Sequence, residues 1–97
     1  MIVVTRKVNK IKITGHALYS DYGRDIVCSA VSSIVITTVN GILKIDNSSI
    51  KVDEKDGISI EVLKNDKVTL SLLDNMIKLL KELNLKYPKN IKIKEGV

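Results

Sequence analysis

The chain contains one histidine, His16, and one cysteine, Cys28, twelve residues further on. A thiol attacks a carbonyl as its thiolate, and an ordinary cysteine, with a pKa of about 8.5, is mostly protonated at neutral pH. An imidazole beside it can take that proton and later hand it to a leaving amine. Asp25 stands three residues before Cys28, so a helix capped by Asp25 carries the thiol in its first turn. Helix starts gather unpaired N–H groups and partial positive charge, which favour a thiolate and the oxyanion of a tetrahedral intermediate alike. Gly15, directly before His16, lets the backbone take a shape other residues resist, or lets a substrate strand approach closely. The pair therefore points to nucleophilic attack on an acyl group. Residue types and spacing alone are a short motif, however. A lone cysteine commonly packs in a core, and a lone histidine commonly sits at a surface.

Other residues of the same stretch have candidate supporting roles. Asp25 can orient His16 as a third member or cap the helix, and the cap is the stronger reading because aspartate is among the best N-cap residues. Asp21 is a weaker candidate for orienting His16 and reads more readily as loop. Ser32, four residues after Cys28, projects from the same helical face. It can hydrogen-bond the thiolate, line a substrate groove, or bond back to the carbonyl of Cys28, and the sequence leaves these open. Tyr19 and Tyr22 lie between the two reactive residues, away from any apolar stripe. They read either as exposed loop or as a lid that closes over a peptide with Gly23 as its hinge.

The elements that must position these residues follow from periodicity. Residues 2–5 are a β-branched run, and residues 10–14 alternate, with Ile11 and Ile13 on one face. Lys7-Val8-Asn9-Lys10 turns the chain between them. Residues 49–54 place Ile50 and Val52 inward, and residues 58–63 do the same with Ile58, Ile60 and Val62. Asp56-Gly57 between them is a hairpin signal, since both residues tolerate positive φ. Ile91 and Ile93 mark a last strand. Over 68–85, Leu70, Leu73, Met76, Ile77, Leu80 and Leu83 recur at helical spacing. Asp66 caps that helix, and Pro88 prevents its continuing. Met76 is filling, not a metal ligand.

From Asp25 to about Asn40 two signals compete. Val27, Val31, Ile34, Val35, Thr38 and Ile42 form a helical stripe, yet residues 34–39 are β-branched throughout and favour a strand. The length of the stripe and the cap at Asp25 decide for helix, with Gly41 as its stop. The order is then ββαββαβ. It predicts an α/β chain of the α+β two-layer kind: a mixed, largely antiparallel sheet with both helices on one face.

At 97 residues the chain has room for a single domain, spanning residues 1–97. With 44% hydrophobic and 28% charged residues it has the balance of a globular protein. With three Tyr, no Phe and no Trp, its core must be built from Ile, Val and Leu. A single cysteine allows no intramolecular disulfide, which suits a reducing compartment. The N-terminus reads as neither signal peptide nor membrane span, so the expected location is the cytoplasm, with no membrane partner. One His and one Cys are too few to ligate zinc within one chain, and no second cysteine can resolve a sulfenic acid as an intrachain disulfide, which weighs against a metal or redox protein.

Gly15-His16-Ala17, followed by Gly23-Arg24-Asp25-Ile26-Val27-Cys28-Ser29-Ala30-Val31-Ser32, resembles the signature of the bacterial ribosomal-processing cysteine proteases called Prp. The element order around it is similar too, so the resemblance covers essentially the whole chain. It implies a cysteine endopeptidase that removes a short N-terminal extension from a large-subunit ribosomal protein, the twenty-seventh in the conventional count. It further implies a homodimer needing no metal or cofactor, with Cys28 as nucleophile and His16 as general base. Ser29 departs from the family's usual alanine, a small-for-small change that bears on packing more than on reaction.

The competing reading is a non-enzymatic RNA-binding or ribosome-associated module, supported by a net charge of +5 and the αβ layout. Against it, the strands lack the paired aromatics used for base stacking, and no Gly-rich basic loop appears. The lysines alternate singly with Ile and Val, as solvated strand faces do. Nucleic acid is therefore not an expected partner.

Overall fold

The computed structural model describes residues 1–15 and 26–96. Five strands and two helices follow one another as β1 (Ile2–Lys7), β2 (Lys10–Thr14), α1 (Ile26–Ile45), β3 (Ile50–Asp53), β4 (Ile58–Val62), α2 (Lys67–Lys86) and β5 (Ile91–Glu95). This is the ββαββαβ order that periodicity predicts. The strands form one sheet in the order β3-β4-β2-β1-β5. Every pairing is antiparallel except β1 with β5, which runs parallel.

Period-two alternation gives the sheet two unlike faces. Ile2, Val4, Ile11, Ile13, Ile50, Ile60 and Ile91 are buried on one face, in a single apolar cluster with residues of both helices. Each fully buried Leu or Ile stabilises the fold by roughly 1.5–3 kcal/mol relative to exposure. On α2 the buried residues are Thr69, Leu73, Met76, Ile77 and Leu80. Leu70 and Leu83 of the predicted stripe are only half-buried. Asp66 caps α2 as expected: its Oδ1 accepts the backbone N–H of Thr69 at 2.8 Å, and its Oδ2 accepts the Thr69 hydroxyl at 2.9 Å. Across the layers, Arg6 pairs with Asp74, and Lys81 reaches Glu95 at 3.0 Å.

On α1, helix wins over β-propensity because Val27, Val31, Val35, Val39 and Ile42 all point into the core. Ile34 and Thr38, at the edge of the predicted stripe, are half-buried, and Val39 takes a core position. The Thr38 hydroxyl donates back to the Ile34 carbonyl at 2.8 Å, satisfying its polarity inside the helix. By length and composition α1 could cross a bilayer, contrary to the expectation that no run is long enough. Its buried stripe, opposite exposed Ser29, Ser33, Thr37, Asn40 and Lys44, marks it as the core helix of this domain.

Gly41 does not stop α1. The helix runs on to Ile45 because burial of Ile42, 1% exposed, outweighs the cost of a helical glycine, about 1 kcal/mol. Among the described residues, nothing outside its own helical turn and chain neighbours lies within 4 Å of a methyl group added at Gly41. Gly41→Ala is therefore expected to stabilise the protein by about 0.5–1 kcal/mol, read as a rise in urea midpoint at constant slope.

The true helix end lies at Asp46. Its Oδ1 accepts the Ser48 hydroxyl at 2.7 Å and the Ser48 backbone N–H at 3.0 Å, and its Oδ2 accepts Lys64 at 3.1 Å. The Ser48 bonds, with help from Lys64, lower the Asp46 carboxyl from 3.8 to about 2. Because the folded value lies below the unfolded one, this stabilisation is fully present above about pH 4 and is lost as pH falls toward 2. The stability gap between wild type and Asp46→Asn should hold constant above pH 5 and close between pH 4 and 2, as measured by urea melts across that range.

Candidate active site

Cys28 lies in the first turn of α1, where the sequence expects it. It is half-buried and packs against the apolar core. Ser32 follows one turn later, and both line one depression of about 200 Å³. Val31 and Val35 of α1 form the inner wall. The opposite side comes from the sheet: Ile13 near the end of β2, Ile58 of β4, and Glu54 and Gly57 of the β3–β4 hairpin. A second depression of about 150 Å³ shares Val35, Glu54 and Ile58 with the first and extends to Val39 and Asn40. Together they form one groove alongside α1. From Cys28 to Asn40 the helix advances roughly 18 Å, the length of about five extended residues.

Two glycines hold the edges of this site. Gly57 has φ +77°, and a methyl group there would collide with the backbone carbonyl oxygen of Ile13. Gly15, just past β2, has φ +79°, and its methyl group would collide with the carbonyl oxygen of Met1. Both positions combine left-handed backbone with close chain approach, so only glycine fits without strain. The freedom anticipated for Gly15 is thus in use.

Electrostatically, the groove has the N-terminal end of α1 at one end and the Glu54 carboxylate on its rim. The positive end of the helix dipole, beside Cys28, favours an anion such as a thiolate or an oxyanion. Among the described residues, no group of three or more His, Cys, Asp or Glu side chains is placed to hold a metal ion.

Of the residues singled out from sequence, the structure brings Cys28 and Ser32 together and places Gly15 at the end of a strand whose Ile13 lines the same depression. His16, Tyr19, Tyr22, Gly23 and Asp25 lie outside the described residues. Sequence reasoning missed Glu54 and the adjoining part of the groove, and treated Gly57 only as a turn residue. The antiparallel pairing of β2 with β4 sets Ile13 opposite Ile58, which carries the hairpin to the thiol.

Residues 1–92 match the family model described as cysteine protease Prp. The ribosomal processing cysteine protease Prp of Mycoplasma pneumoniae is 32% identical over 98 residues, covering 98% of this chain and 95% of the relative. The Staphylococcus aureus protein of the same name is 30% identical over 92 residues, covering 90% and 86%. The crystal structure of S. aureus Prp with a covalently linked product peptide superposes with a TM-score of 0.86 at 26% identity, covering 99% of this chain and all of the other. A thiol at a helix start beside a peptide-sized groove, in this fold and with these relatives, has one reading: the chain belongs to the Prp family of cysteine proteases.

Proposed function

We propose that this protein is an endopeptidase that removes the N-terminal extension of a large-subunit ribosomal protein, the twenty-seventh in the conventional count, with Cys28 as nucleophile and His16 as general base. The observation that carries this reading is the position of Cys28, in the first turn of α1 and opening onto the groove. An extended peptide laid along α1 brings a scissile carbonyl to the sulfur. The Cys28 thiolate attacks, and helix-start N–H groups take up the charge of the tetrahedral oxygen. Collapse breaks the C–N bond as imidazolium His16 protonates the departing amine, leaving a thioester. His16 then deprotonates water, which hydrolyses the thioester and restores the thiol. The product peptide covalently linked in the S. aureus relative accords with an acyl-thiol stage.

In this reading Ser32 lines the groove floor, Gly15 sets the backbone before His16, Asp25 caps α1, and Tyr19 and Tyr22 close over the peptide about Gly23. The reaction belongs in the cytoplasm with its ribosomal substrate. The protein acts as a homodimer, for which exposed Ile36 and Leu79 on the outer helical faces offer apolar surface; sedimentation equilibrium measures it. The test of function is intact-mass analysis of the extended ribosomal protein after incubation with this protein. A single mass loss equal to an N-terminal peptide is expected, and an unchanged mass at prolonged incubation overturns the assignment.

A further inference from the structure

In the sequence the lysines stand singly between Ile and Val, which suggests dispersal. Strand register does the opposite. Lys7 of β1 faces Lys10 of β2, Thr5 faces Lys12 of β2 on one side and Lys94 of β5 on the other, and Val3 faces Lys92 of β5. Cross-strand partners share a face, and this is the face away from the helices. Five lysines from β2, β1 and β5 therefore gather on one half of the outer sheet, and these three strands place no carboxylate on that face. Among the described residues, the acids at the edge of this field come from the β3–β4 half: Glu61 of β4 stands directly opposite Lys10, Asp53 of β3 lies beyond it, and Asp56 of the hairpin reaches Lys12.

Three of these lysines and the Thr5 side chain line a depression of about 200 Å³: Lys7, Lys10 and Lys12. Among the described residues, the only ion pair made by the five is Lys12 with Asp56 at 3.7 Å, between side chains largely open to water. Glu61 faces Lys10 on its other side, but Lys7 directly opposite Lys10 still sets like charges against each other across the β1–β2 pair. An anionic partner removes that repulsion.

We propose that the outer face of β2, β1 and β5 binds the phosphate backbone of duplex RNA, with Lys7, Lys10, Lys12 and Thr5 holding a phosphate in the depression and Lys92 and Lys94 meeting its neighbours. Strands about 4.8 Å apart, with same-face residues about 7 Å apart along each, present ammonium groups as a flat grid matched to a repeating polyanion. No aromatic side chain lies on these strands. The face thus offers charge without base stacking, which suits a paired helix that shows its backbone outward. Choosing RNA as the polyanion rests on the ribosomal substrate proposed above; the charge grid itself does not. The face lies on the opposite side of the sheet from Cys28, so RNA and peptide can be held together.

The test measures affinity of the full chain for a fluorescent RNA duplex by anisotropy between 50 and 200 mM KCl. Five phosphate contacts predict a slope of about −4 in log affinity against log salt, a loss on the order of 10²-fold across that range. The variant Lys7→Gln, Lys10→Gln, Lys12→Gln should reduce the slope by about 3. Its cleavage of a free peptide should stay unchanged, which separates this proposal from the protease assignment. The control Lys78→Gln, Lys86→Gln, Lys89→Gln removes equal charge elsewhere and should keep most of the slope. The proposal is overturned by absent RNA binding at 50 mM salt, or by equal losses in the two variants. It is equally overturned if poly-glutamate competes as well as RNA at matched charge, or if phosphatidylserine vesicles are bound and RNA is not.

Discussion

Cys28→Ala is expected to abolish peptide cleavage, lowering kcat/KM by about four to six orders of magnitude while leaving the fold intact. The side chain is half-buried at the rim of the core, and its loss leaves an opening on the groove, not a sealed cavity. The stability cost should stay below about 1 kcal/mol, so a urea melt near wild type accompanies the dead enzyme. Cys28→Ser is the sharper control. It retains size and a hydroxyl, but a serine oxygen is far less acidic than sulfur, so activity should be nearly as low. His16→Ala should reduce cleavage by about 10²–10⁴-fold and slow alkylation of Cys28 by iodoacetamide at neutral pH. Full cleavage by Cys28→Ala removes the sulfur from the mechanism. Unchanged alkylation in His16→Ala removes the histidine from it and leaves the sulfur.

The parts of this molecule that were legible in sequence are those governed by neighbours along the chain. Alternation at Ile11 and Ile13, the Asp56-Gly57 turn and the Asp66 cap each act within a few residues, and each appears where periodicity and turn chemistry put it. Cys28 and Ser32 share a groove because four residues on a helix share a face. The end of α1 departs from its local signal, since the stop at Gly41 yields to tertiary burial of Ile42 one residue later. The sheet order was hidden for the same kind of reason. Two of its pairings follow from hairpins, but β2 with β4 and β1 with β5 join strands far apart in sequence. Those two contacts bring the β3–β4 hairpin to the thiol and stack singly spaced lysines into one field. The second half of the site and the basic face were therefore beyond any local pattern.

The β2–β4 contact makes Gly57→Ala the most demanding test of the site's architecture. At φ +77° an alanine is strained whatever space surrounds it, and here its methyl group meets the carbonyl oxygen and chain of Ile13 and Thr14. Backbone strain and the forced shift of β2 should together cost about 2–4 kcal/mol. In a chain of this length that lowers Tm by about 10–20 °C. The same substitution at Gly41 should act in the opposite direction, because there the backbone is helical and the space is open. One chemical change with opposite signs at two glycines isolates geometry from composition. Activity supplies the second readout. Ile13 and Gly57 both border the depression at Cys28, and Gly15 and His16 follow Ile13 along the chain. A displacement near 1 Å at that strand end should cut kcat/KM by about 10²-fold, measured well below the melting range. If Gly57→Ala melts and cleaves like the wild type, the hairpin does not abut β2 as described, and the groove beside the thiol loses its outer wall.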